Sequence, residues 1–186
     1  MPFLSLWIPV LVATVVVFVI SSVLHMALTY HRADYKRLPN EEAVRDALGK
    51  GSLPPGLYQL PYCANMKEMQ DPVNKAKYEK GPIGVISIIA NGLPAMPKYL
   101  AQWFVFCFVT SFIAAYVARH TLHPGDVGMQ AARVTGVVAF AAYGFTNILD
   151  SIWKGQPWSN TTRSLIDGAI YAVATGATFC LLWPKA

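Results

Sequence analysis

The chain has 186 residues, 54% hydrophobic and 13% charged, with a mean hydropathy of +0.38. That is too apolar for an ordinary water-soluble domain of this length, so lipid must be part of its solvent. The formal charge of +5 does not indicate nucleic acid: 10 of the 15 Lys/Arg and 7 of the 10 Asp/Glu fall together between His31 and Lys98, acids interleaved with bases, as at a membrane surface.

A helix needs about 20 mostly apolar residues to cross about 30 Å of hydrocarbon. Residues 1–28 meet that test first. They lack a basic leader and a small-residue cleavage pattern, and the apolar run exceeds a signal-peptide core, so a retained helix is expected. Pro9 falls in its first turns, where proline costs little.

Residues 29–98 form the first connection. Asn40 before Glu41 and Glu42 reads as an N-cap with acids in the first turn, and Gly49 and Gly51 as stop signals, which predicts a short helix near 41–48. Asp71-Pro72 opens a second helix that Gly81 ends. Gly56 to Leu60 and Ile83 to Ala90 look like short strands. The connection is therefore expected to be a small α/β extramembrane subdomain resting against the membrane.

Further spans follow at 99–118, 130–152 and 164–183. Trp7, Trp103, Trp153, Trp158 and Trp183 fall near span ends, where an amphipathic ring prefers the headgroup region. Arg32, Lys36, Arg37 and Lys98 flank the first connection, and Lys154 and Arg163 the third. The second connection and the tails offer Arg119, Arg133 and Lys185. Both termini are thus expected outside, with loop 29–98 cytoplasmic. Cys63, Cys107 and Cys180 form no CxxC pair and imply no disulfide framework.

In the third span Gly136, Ala139, Tyr143, Asn147 and Asp150 share one face at helical spacing. Tyr143, Asn147 and Asp150 make it a polar intramembrane face, which reads as a proton or ion site or as an interfacial Asp150 paired with Lys154 or Arg163. In the fourth span, Ser164 to Asp167 has capping-box spacing, so Asp167 is expected to serve a helix N-terminus. Gly168, Ala172 and Gly176 make a small-residue stripe for close helix packing, within the bundle or against a partner.

The histidines fall into two groups, His25 with His31 and His120 with His123, which the topology puts at opposite faces of the bilayer. His25 reads as a hydrogen-bonded packing residue, with axial ligation of a haem as the alternative. His120, His123 and Asp126 offer metal-ligand types, but their spacing matches no standard site, and no metal or other cofactor is expected. Phosphate loop, nucleophile elbow and HExxH motifs are absent, so no catalytic constellation is expected.

Tyr143-Gly144, Asn147, Lys154-Gly155-Gln156-Pro157 and Ile166-Asp167-Gly168 resemble the closing part of small four-helix bacterial inner-membrane proteins grouped as domains of unknown function. The likeness runs over residues 136–183. It implies an inner-membrane four-helix fold and no particular reaction.

The fold expected is an all-α integral membrane protein, four transmembrane helices with the small α/β subdomain in the first loop. The leading functional expectation is a non-catalytic accessory or scaffold subunit, not an enzyme, packing through its fourth helix against other membrane protein subunits or a second copy. The alternative is a small ion or solute transporter using the polar face of the third helix, followed by a metal- or cofactor-binding membrane protein.

Overall fold

Hydropathy and proline placement decide where the helices run. The computed structural model describes residues 3–123 and 125–184; Met1, Pro2 and Lys185 lie outside them. A 3-10 turn (Phe3–Leu6) leads into α1 (Trp7–Ser22), which ends in a π-helical turn (Val23–Ala27) and is followed by a 3-10 turn (Tyr30–Asp34). Next come α2 (Glu41–Lys50), β1 (Gly56–Leu60), α3 (Met66–Gln70), α4 (Pro72–Lys80) and β2 (Gly84–Ile88). Then α5 (Met96–Thr121), α6 (Gly128–Tyr143), a 3-10 turn (Phe145–Asn147), α7 (Ile148–Lys154) and α8 (Trp158–Leu182) complete the chain. Four helical stretches, Trp7–Ala27, Met96–Thr121, Gly128–Lys154 and Trp158–Leu182, are long and apolar enough to cross a membrane.

The chain divides into two compact units, one made of 36–94 with 152–155 and the other of the remainder. In the smaller unit β1 and β2 pair antiparallel with Tyr58 opposite Ile86. Asp71 accepts the Val73 N–H at 2.9 Å to cap α4, and Gly81 closes it with φ of +65°. Asn40 stands before α2 in a left-handed conformation, and its side chain makes no capping bond. The short α3 was not anticipated. Asn65 caps it through the Glu68 N–H, while Glu68 accepts the Ala64 N–H, a reciprocal pair visible in the sequence as Asn65-x-x-Glu68.

In the larger unit α6 packs along α8, α1 packs on α5 and α8, and α5 also packs on α6. Small residues bring the backbones together. A Cβ on Gly176 would lie 2.8 Å from the Ala132 carbonyl oxygen, and one on Gly128 would lie 2.3 Å from that of Cys180. Gly168 and Gly176 thus place the small-residue stripe of α8 against α6 within the bundle. Buried Thr14 and Thr135 return their hydroxyls to carbonyls one turn back, at 2.7 Å each, which leaves no unpaired group at those positions. Phe179, Leu6 and Val17 fill the interior, while many other large side chains point outward, with Val173 72% and Leu181 82% exposed.

Two boundaries differ from the sequence expectation with consequences for the site. The third span is broken at Phe145–Asn147, beside a close approach of α8: a Cβ on Gly168 would stand 2.3 Å from Gly144 Cα. Asn147 donates to the Tyr143 and Gly144 carbonyls at 2.8 and 3.0 Å, satisfying groups near the break. The fourth helix begins at Trp158, after Pro157, six residues earlier than expected. Asp167 therefore lies in the third turn, and the capping role expected of it is overturned.

Candidate functional site

The interior position of Asp167 puts a carboxylate where little water reaches, so its oxygens must be met by protein donors. Asp167 is 4% exposed. Its Oδ1 accepts the Tyr30 hydroxyl, and its Oδ2 lies 2.7 Å from His31 Nε2 and 3.8 Å from His25 Nε2. These partners come from the π-helical turn and the 3-10 turn that follow α1. In a 3-10 turn residues three apart eclipse, which sets His31 Nδ1 against Asp34 Oδ2 at 2.6 Å. Asp34 Oδ1 in turn receives Arg163 Nη1 at 2.5 Å, and the Asp34 carbonyl accepts from Asn160 at 3.0 Å.

This chain of contacts sets protonation. Burial alone would lower the His31 pKa, but hydrogen bonds to Asp34 and then Asp167 outweigh it and raise the value, so the ring favours the imidazolium that donates to both. Asp34 resists burial likewise. His31 and then Arg163 hold its carboxyl below the usual range. The Tyr30 phenol is pushed up by burial and by Asp167, which keeps it a donor. His25, its ring stacked 4.3 Å from that of His31, directs Nδ1 at the Ser21 carbonyl at 3.1 Å.

Beside this network lies a cleft of about 380 Å³ between the C-terminal ends of α1 and α6 and the N-terminal halves of α5 and α8. His25 and Asp167 line its polar end, and Trp103, Tyr143 and Tyr171 line it as an aromatic group. Tyr143 and Tyr171 meet edge to face at 5.5 Å, and the Trp103 indole donates to Ser21 Oγ at 2.7 Å. Tyr171 is 3% exposed, and its hydroxyl has no partner among the described residues.

The sequence candidates fare unevenly. Tyr143 and Asn147 line the cleft, whereas Asp150 lies beyond the helix break and is not among its lining residues. Arg163, considered above as a counter-cation for Asp150, engages Asp34. His120 turns Nδ1 to the Tyr116 carbonyl at 2.8 Å, and Asp126 accepts the His123 backbone N–H at 2.6 Å and lies 3.9 Å from Nδ1 of the exposed His123 ring. Those three ligand types are not brought together as a site. Among the described residues, the grouping of ligand atoms within 4.8 Å of one another is His25, His31 and Asp167. A signal for it existed: Pro157 marks a helix start that carries Asp167 inward, and His25, His31 and Asp34 cluster at the end of an apolar span. What the residues could not give was their meeting.

No family model, no curated protein and no solved structure matches the chain. The resemblance over residues 136–183 therefore rests on its motifs, and function must be argued from the site.

Proposed function

We propose that the chain is a multi-pass inner-membrane protein that takes a small amphipathic molecule from the bilayer into the cleft between its four spans, the polar end of that molecule meeting Tyr171, Asp167 and His25. The observation that carries this reading is the cleft of about 380 Å³ itself, an aromatic wall of Trp103, Tyr143 and Tyr171 with a polar end at His25 and Asp167; the Tyr171 hydroxyl lacks a partner among the described residues, as do polar atoms of Ser111, Thr175 and Trp183. Large apolar side chains on the outward faces and small or hydroxyl-bearing ones inside support placement in lipid. His25 and Met26 after α1 and Met96 and Tyr99 at the start of α5 line the cleft, and these are the chain positions that flank the first connection, for which the Lys/Arg distribution favours the cytoplasmic side. A polar-face reading of Tyr143 and Asn147 converges on the same cleft. An accessory-subunit reading built on Gly168, Ala172 and Gly176 has less support, since Gly168 and Gly176 face α6.

The test is extraction into native-membrane discs, followed by mass analysis of what the protein retains. An amphiphile enriched over bulk lipid in the wild type and depleted in Leu100→Trp, which fills the cleft from α5, is expected. Bulk-lipid composition in both would overturn the reading.

A further inference from the structure

The two histidines that approach Asp167 share a feature that packing does not require. Each has its Nδ1 committed to an acceptor, His25 to the Ser21 carbonyl at 3.1 Å and His31 to Asp34 Oδ2 at 2.6 Å. Each therefore presents Nε2, and both Nε2 atoms converge on one oxygen, Asp167 Oδ2, at 3.8 and 2.7 Å. A carboxylate or carbonyl behind the remote nitrogen is the arrangement that orients imidazoles as metal ligands and raises their basicity. The carboxylate is supported too, since the Tyr30 hydroxyl occupies Oδ1 and leaves Oδ2 to the histidines.

From this convergence we infer that His25 Nε2, His31 Nε2 and Asp167 Oδ2 bind a divalent first-row transition-metal ion of the zinc class, the ion taking the place of the His31 Nε2 proton, which is released to solvent. Two imidazoles and one carboxylate suit such an ion, and ligand atoms about 2.0–2.1 Å from a tetrahedral centre stand about 3.3 Å apart. The two separations from Asp167 Oδ2, 2.7 and 3.8 Å, bracket that figure. His25 supplies the needed adjustment, because its side chain is 52% exposed, while Asp167 and His31 are more deeply enclosed and held from behind. Three protein ligands leave a position open, the pattern of reactive rather than structural sites. That position lies on the cleft side, since His25 and Asp167 both line the cleft. Asp34 acts as a positioning residue through His31, and Arg163 holds Asp34 in place at 2.5 Å. The inference goes beyond the cleft reading and does not depend on what enters the cleft.

The experiment is to purify the full chain in detergent, strip it with a chelator, and titrate it with Zn2+ and with Co2+, whose visible absorption reports coordination by nitrogen and oxygen. The wild type is expected to take up about one ion per chain. His25→Ala and Asp167→Asn should each weaken binding by about 100-fold or more, and Asp34→Asn by about 10–100-fold. His25→Ala keeps the outcome decisive if Asp167→Asn fails to fold, because the His25 ring is half exposed. His123→Ala should bind as the wild type does. Absence of stoichiometric binding in the wild type, equal affinity in His25→Ala, or loss of binding in His123→Ala would each overturn the assignment. Leu100→Trp separates the two proposals: it should remove the retained amphiphile and leave Zn2+ stoichiometry unchanged.

Discussion

The two ends of the helical unit each carry two histidines and an aspartate nearby, yet only one end makes a network of them. At the far end His120, His123 and Asp126 are near in sequence, and their contacts are local: a ring bonded to its own helix, a backbone N–H capped by a side chain, and a His123 side chain 89% exposed. At the near end His31 meets a carboxylate 136 residues away, buried on another helix and shared with Tyr30. Proximity in sequence produced a solvated turn; burial of a distant carboxylate produced a site. The lesson is physical. A carboxylate in water needs no partner, whereas one out of water must recruit several, and that demand organises everything around it.

This contrast can be broken at graded cost. The largest effect is expected from Gly168→Leu, which forces a side chain against the Gly144 backbone and pushes α8, with Asp167, away from α6. Thermal unfolding in detergent should show a loss above about 3 kcal/mol, or no folded protein. Next, Asp167→Asn leaves the His31 imidazolium without its buried counter-charge and should cost about 3 kcal/mol. The matching change at the other end, Asp126→Asn, should cost less, below about 1 kcal/mol, because the half-buried carboxylate there holds only a local bond to the His123 backbone N–H that an amide oxygen can still accept. Equal effects at Asp167 and Asp126 would erase the distinction between the two ends. Asp34→Asn falls between, at about 1–2 kcal/mol, because it weakens charged hydrogen bonds to His31 and Arg163 that are partly open to solvent.

Helix starts explain why the site was partly illegible. Reading Ser164 to Asp167 as a cap assigned the aspartate a local task, and the true start after Pro157 removes that task and turns the same residue inward. The polar face of the third span was read as one continuous stripe; the break at Phe145–Asn147 separates Asp150 from Tyr143 and Asn147. The break stands where the α8 backbone approaches, and no periodicity along one helix reports such an approach.

What the sequence determined by itself is therefore what depends on sums and spacings along the chain. Four long apolar helices, the Asp71-Pro72 helix start, two short strands, and a stripe of small residues on α8 were all legible, because hydropathy, capping and small side chains act within a few residues. Which carboxylate is buried, which histidines face it, and that the stripe lies on α6 were decided only in three dimensions. Those outcomes depend on how closely two backbones approach and on which termini meet at one end of a bundle. Contacts across 136 residues are set by packing, which no local pattern encodes.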